Sequence, residues 1–156
     1  MQIVTDSGFD LSPEQQQNFN LHKLPLKITL DGVTYRSGFD IQPEEFYELL
    51  EDTDDMPITS TPSLGEFAEI YQQIAKEDPD ILSIHISISL SGTLNGAQLG
   101  ARETKSVPVT VLDSQQLSLG TGFLVLSAAK AAAAGRSMEE ILEILEEQIS
   151  RTYVFA

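Results

Sequence analysis

An α/β domain with a mainly parallel sheet and helices on both faces is the fold this sequence predicts. Three observations lead there. Short β-branched runs beginning at Ile3, Ile81 and Val109 alternate with segments of helical periodicity. Each run is followed by a polar end, Asp6-Ser7, Ser89-Leu90-Ser91 and Asp113-Ser114, so that three polar strand ends can share one crevice. Three of the helical segments begin with a capping box, at Ser12, Ser63 and Ser137.

In chain order, residues 2–5 form a strand and Asp6 opens a polar loop to Leu11. Ser12, Pro13 and Gln15 then start a short helix running to about Phe19. Residues 24–30 alternate as one half-buried strand, Asp31-Gly32 is a type I′ turn signal, and residues 33–36 return. Pro25 marks this hairpin as an edge. Residues 43–50 form a short helix, acidic in its first turn as the helix dipole favours, and an acidic loop comes next. The hydroxyl cluster Thr59-Ser60-Thr61-Pro62-Ser63 leads into a helix with Leu64, Phe67, Tyr71 and Ile74 at helical spacing. From Ile81 an apolar strand turns abruptly at Ser89, Ser91, Gly92 and Thr93 into small helix formers, a strand-loop-helix joint. Gly96, Ala97 and Gly100 weaken that helix but permit close backbone approach. Residues 107–112 form a further strand, and Leu117 to Ala134 reads as a buried helix stopped by Gly135. In the next helix Ile141, Leu142, Leu145 and Ile149 oppose a glutamate face, after which residues 152–156 begin a strand.

Composition narrows the function. With 156 residues the chain makes one domain and buries a core without metals or disulfides; it has no cysteine, so thiolate chemistry is excluded. A net charge of −15, from 24 acidic and 9 basic residues, repels polyanions, which disfavours nucleic acid and anionic lipid surfaces. No apolar run reaches membrane-span length and the first residues lack a basic signal start, so a cytoplasmic location is expected.

The hydroxyl-rich joints admit competing readings. Backbone N–H groups and a helix N-terminus at a strand end favour an anionic group, and Ser and Thr also cap helices for structural reasons alone. A Ser91/His85/Asp113 hydrolase triad is one alternative, but no Gly-x-Ser-x-Gly elbow surrounds Ser91. Neither a P-loop nor a dinucleotide fingerprint is present. Asp6 and Asp113 have the chemistry to hold a hard cation, though aspartates after strands more often cap the next turn. A plain interaction domain whose serines only cap helices is the third reading.

Val4-Thr5-Asp6-Ser7 with Asp10-Leu11, then Thr59-Ser60-Thr61-Pro62-Ser63, then Ile88-Ser89-Leu90-Ser91-Gly92-Thr93, then Leu112-Asp113-Ser114 with Gly120 and Gly122, resemble the successive landmarks of the DegV family of bacterial fatty-acid-binding proteins. Each motif is weak alone; four in the family's order over nearly the whole chain are specific. The resemblance implies a non-enzymatic carrier without cofactor, metal or catalytic residue. Such a carrier encloses one long-chain fatty acid and presents it to a partner fatty-acid kinase, which makes an acyl phosphate for phospholipid synthesis. By the same resemblance Thr59 and Ser91 match the hydroxyls that bind the carboxylate, with Asp6, Ser7, Ser60, Gly92, Thr93, Asp113 and Ser114 in support. Family members are nearly twice as long, and their Gly-Gly-Arg motif, a later histidine and the second domain lie outside these 156 residues. The chain is therefore expected to be the N-terminal domain of such a protein, residues 1–156.

The physical chemistry agrees with that implication. Neutral hydroxyls and helix N-termini bind a carboxylate without a formal counter-charge, which suits so acidic a chain. A buried C16 tail at ~0.8 kcal/mol per CH₂ is worth on the order of ten kcal/mol of gross transfer energy, so the tail supplies affinity and the hydroxyls orientation. Without a second domain the floor of the site is present and its lid absent, and self-association is expected.

Overall fold

The computed structural model describes residues 1–17 and 19–154, and the layers arise from the alternation of their side chains. The elements run β1 (Gln2–Asp6), α1 (Pro13–Gln17), β2 (Leu21–Leu24), β3 (Lys27–Leu30), β4 (Val33–Arg36), α2 (Pro43–Glu51), β5 (Ile58–Ser60), α3 (Leu64–Ile74), β6 (Ile81–His85), α4 (Thr93–Glu103), β7 (Val109–Asp113), α5 (Leu119–Ala133) and α6 (Met138–Arg151). Four strands make a parallel sheet in the order β2-β1-β6-β7. The other three form a separate antiparallel sheet, β4-β3-β5. This is the α/β fold with helices on both faces that the sequence predicts.

Successive side chains on a strand point to opposite faces. Ile3, Leu82 and Ile84 pack against Leu124, Val125 and Ala128 of α5 and Ile141 and Leu145 of α6. Val4 and Ile81 face the other way, onto Phe67, Tyr71 and Ile74 of α3 and Ala97 of α4. Both faces of the parallel sheet are thereby removed from water, as a parallel sheet requires.

The three capping boxes form as the sequence predicts. At α3, Ser63 Oγ accepts from the Glu66 N–H at 3.3 Å while Glu66 Oε2 accepts from the Ser63 N–H at 2.8 Å. Ser12 with Gln15 and Ser137 with Glu140 repeat the pattern. The Asp31-Gly32 turn has positive φ at both residues, 49° and 76°, as a type I′ hairpin needs.

Several expectations are corrected. The first helix ends at Gln17 and does not continue to Phe19; Asn18 lies outside the described residues. Residues 24–30 are not one strand: Leu24 closes β2 in the parallel sheet and Lys27 opens β3 in the other, because Pro25 has no N–H for a ladder. Thr59 and Ser60 lie in β5, so the hydroxyl cluster is half strand and half helix entry. In α5, Leu119 and Phe123 stand exposed, so that helix is not buried all round. At the chain's far end Thr152 is extended, and residues 152–154 pair with no strand; the expected strand otherwise falls on Phe155 and Ala156, outside the described residues.

Helices α3 and α4 approach closely because α4 presents glycines to α3. A Cβ on Gly100 would lie 2.5 Å from the Phe67 Cβ and 3.0 Å from the Leu64 carbonyl oxygen. One on Gly96 would meet the Phe67 ring and the Pro62 carbonyl, both at 3.3 Å. Gly100→Ala should therefore destabilise the fold by ~1–3 kcal/mol, since backbone and a Cβ cannot move aside as a flexible side chain can. Gly92→Ala, with open space around it and negative φ, should change stability by less than ~1 kcal/mol, because the unfolded-state gain of Gly→Ala is offset by the poorer N-cap that Ala makes. Urea unfolding of the two variants beside wild type checks the contrast.

Candidate functional site

The parallel sheet changes direction between β1 and β6. From β1 the chain moves outward to β2, and from β6 it moves outward the other way to β7. In open α/β sheets the crevice beyond the carboxyl ends of such a strand pair is the usual ligand position. Here its base is filled by protein. Asp6, fully buried, accepts from the Gly8 N–H at 2.8 Å through Oδ1. Its Oδ2 accepts from the Ile86 N–H at 3.2 Å and faces His85 Nδ1 at 2.9 Å. The chain continues through His85 Nε2 to Ser83 Oγ at 2.7 Å and on to the Tyr71 hydroxyl at 2.8 Å. Burial is the leading influence on Tyr71 and pushes its hydroxyl pKa up, with the Ser83 hydrogen bond opposing.

Above this base, each polar strand end ties one loop to another. Ser7 Oγ accepts from the Leu26 N–H at 2.9 Å, joining the first loop to the approach of β3. Asp113 Oδ1 accepts from the Gln115 N–H at 2.9 Å and the Ile88 N–H at 3.3 Å. Ser114 is buried, with its N–H on the His85 carbonyl at 3.0 Å and its Oγ 3.1 Å from Thr121 Oγ1. Both Asp6 and Asp113 thus cap turns, the reading set against a cation in the sequence.

The two hydroxyl arms sit on neighbouring elements. Ser91 is half-buried just before α4; its Oγ accepts from the Thr93 N–H at 3.2 Å and lies 2.8 Å from Thr93 Oγ1. Gly92 is the N-cap, and Thr93 is buried behind it. Thr59 is exposed on β5, directly opposite Ile28 of β3, so the two side chains share one face of the small sheet. Ser60 pairs with Lys27. The segments that carry them touch where the Pro62 carbonyl, between β5 and α3, lies against Gly96 of α4.

Two grooves flank the crevice. One, of about 910 Å³, is lined by Ser7, Phe9, Ile28, Phe39, Phe46 and Leu119 among others. The second, of about 690 Å³, runs by Ser87, Ser89, Leu90, Asp113 and Tyr153. Neither Thr59 nor Ser91 lines either groove; Ile28, the sheet partner of Thr59, lines the first.

The Ser91/His85/Asp113 triad does not form, because His85 is committed to Asp6 and Ser83 and Asp113 to backbone N–H groups. The Asp6–His85–Ser83 series has the residue types of a hydrolase triad, but all three are fully buried and no substrate reaches Ser83. The sequence reading missed Ser83 and Tyr71. Its available signal was the polar pair Ser83 and His85, two apart on one face of an otherwise apolar strand.

A parallel α/β domain with a plugged switch point, two hydroxyl-bearing segments in contact and a groove of mixed lining defines the class. Within it the chain belongs to the DegV family, whose model, described as "Uncharacterised protein, DegV family", matches residues 1–156. A DegV domain-containing protein of Staphylococcus aureus is 39% identical over 143 residues, covering 92% of this chain and 50% of its own. One from Streptococcus pneumoniae is 37% identical over 156 residues, covering 99% of this chain and 55% of its own. The chain therefore spans about half the length of the curated relatives it matches. Among solved structures, a fatty-acid-binding DegV family protein of Thermus thermophilus superposes with TM-score 0.88 at 37% identity, over 96% of this chain and 53% of the other. DegV of Bacillus subtilis, a fatty acid binding protein, gives TM-score 0.87 at 31% identity, over 96% and 53%. Among the described residues no helix is long and apolar enough to cross a membrane.

The carboxylates around the arms set a pH dependence. Burial pushes the Glu66 pKa up, but the Ser63 N–H, the Lys27 ammonium at 2.9 Å and the Ser63 hydroxyl together outweigh it and hold it below 4.5. Arg36 holds Asp40 down at about 2. A carboxylate with a depressed folded value contributes stability above its unfolded value, and loses it as pH falls through the folded one. His22, lowered chiefly by burial with Glu77 opposing, acts in the same direction below 6.5. Urea unfolding should therefore show stability beginning to fall as pH drops below about 6.5 and falling further below about 4.5. Lys27→Met should shallow that decline, whereas equal slopes would remove Glu66 from the account.

Proposed function

We propose that this chain is the N-terminal, head-group-binding domain of a fatty-acid carrier that acts without catalysis or cofactor. In this reading one long-chain fatty acid lies with its carboxylate between the Thr59 and Ser91 hydroxyls. The observation that carries it is the contact of Pro62, which follows Thr59 in the same hydroxyl cluster, with Gly96 of the helix that Ser91 precedes, so that two hydroxyls 32 residues apart in sequence stand on touching segments. A groove of about 910 Å³ is lined by Ile28, the sheet partner of Thr59. That volume suits a small-molecule pocket, which typically holds roughly 300–1,000 Å³. Relatives that bind fatty acid support it.

The roles rest on donor chemistry. When Thr93 Oγ1–H donates to Ser91 Oγ, the Ser91 hydroxyl is left free to donate outward to a carboxylate. Thr59 donates from the opposite side, on the face it shares with Ile28. Ser60 and Gly92 flank the two hydroxyls, and Thr93 and Ser7 fix the loops. Asp6, Asp113 and Ser114 hold the strand ends on which those loops stand. The tail runs along the apolar side chains Ile28, Phe9 and Phe46. A second domain, of the length by which the relatives exceed this chain, covers that tail. The bound acid is presented to a fatty-acid kinase that phosphorylates the carboxylate for phospholipid synthesis.

The test uses a chain extended to its relatives' length. Ser91→Ala and Thr59→Ala should each weaken fatty-acid binding by ~1–3 kcal/mol in a titration, the worth of a charge-assisted hydrogen bond. Two wild-type affinities would refute the assignment. The 156 residues alone should self-associate through exposed apolar side chains such as Leu119 and Phe123 of α5 and bind fatty acid weakly. Light scattering over a concentration series beside a fatty-acid titration checks this, and a monomer with tight one-to-one binding would contradict it.

A further inference from the structure

Every donor around Asp6 can be counted, and the count sets the protons. The Gly8 and Ile86 N–H groups both donate to its carboxylate, so toward them the carboxylate only accepts. The arrangement that satisfies every group has His85 donating from Nδ1 to Asp6 and accepting at Nε2 from the Ser83 hydroxyl, which accepts from Tyr71. All four side chains are fully buried, and the donors run in one direction, toward Asp6.

Two arms leave this centre. Asp6 holds the Ile86 N–H, and the carbonyl of the following residue, Ser87, accepts from the Leu90 N–H at 2.9 Å and the Ser91 N–H at 3.1 Å. The turn that ends at Ser91 is thus folded on the residue adjoining the carboxylate's own contact. On the other side the His85 ring stands edge-on to Phe67, with centroids 5.2 Å apart. Phe67 lies against Gly96 and Gly100 of α4, and its helix begins just beyond Thr59 and Ser60.

The geometry points to Asp6 and His85 as positioning residues that set the placement of Ser91 relative to Thr59, and through it the recognition of a ligand's head group. This rests on the fatty-acid reading above. Neither side chain touches the ligand: one fixes the Ser91 turn through Ile86, the other fixes α3 through Phe67. A network that merely stabilised the fold would weaken acid and non-acid ligands alike when broken. A positioning network instead changes the preference between them.

The readout is therefore a ratio, the affinity for dodecanoic acid over that for dodecanol, measured by competition on the chain extended to its relatives' length. Wild type should prefer the acid. In Asp6→Asn and His85→Leu the ratio should fall about tenfold, with dodecanol affinity nearly unchanged. His85→Asn, which keeps a nitrogen near the δ position to donate to Asp6, should restore much of the preference. Folded Asp6→Asn and His85→Leu proteins with the wild-type ratio would overturn the positioning role while leaving the fatty-acid reading intact. A wild type that binds neither ligand, or both equally, would overturn that reading and this inference with it. Should both variants fail to fold, the wild-type His85 Nδ1–H resonance decides: it should move more on adding acid than alcohol, and equal movement would overturn the proposal.

Discussion

A buried carboxylate at the turning point of the parallel sheet is the constraint on which this domain depends. Removing Asp6 from water costs several kcal/mol unless its oxygens are satisfied, and the chain supplies two backbone N–H groups and an imidazole. Those donors come from the loops after two adjacent strands and from the end of β6, so satisfying the charge fixes the path by which the chain leaves β1 and β6. The cost of a half-satisfied network also makes the geometry specific, because any slip in the β1–β6 register would leave a buried donor or acceptor unpaired.

The plug also decides which polar groups of the crevice stay available. The innermost position of the crevice, where backbone donors converge, is taken by the protein's own carboxylate. The polar groups farther out are Ser91 and Gly92 before α4, backed by buried Thr93, and exposed Thr59 on β5. These groups are neutral, and Ser91 Oγ is already set by the Thr93 N–H. Three of the four arginines are paired elsewhere, Arg36 with Asp40, Arg136 with Glu140 and Arg151 with Glu147, and the fourth, Arg102, lies in the last turn of α4, at the opposite end from Ser91. Lys27 sits on Glu66, which is itself occupied in capping α3.

Close packing does the remaining placement. Gly96 and Gly100, one helical turn apart, let α4 settle onto Phe67 and Pro62, and this sets the entry of α3 against α4 at Gly96 and Gly100. The small antiparallel sheet is held to the same helix by the Lys27–Glu66 pair and to the first loop by Ser7 and Leu26. Thr59 is carried on that sheet, so its position depends on contacts from three separate parts of the chain.

Local elements and the class of fold were legible in the sequence alone. Ser63 with Glu66, Ser137 with Glu140, Asp31-Gly32 and the apolar periodicities are short-range signals, and each acts within a few residues whatever surrounds it. The sequence also exposed the hydroxyl-rich joints at Thr59 and Ser91 and the polar strand ends Asp6, Asp113 and Ser114. Partnership was not legible. Whether Leu24 and Lys27 share a strand or split between two sheets depends on which neighbours offer hydrogen bonds, and that is settled by residues far away in sequence. In the same way His85 shows in the sequence only as a polar residue in an apolar strand. Its bond to Asp6, 79 positions away, exists because β1 and β6 pair in parallel and their alternate side chains come to the same face. Local propensity acts along the chain, whereas the burial of a charge has to be compensated in three dimensions, by groups that meet only once the whole domain has folded.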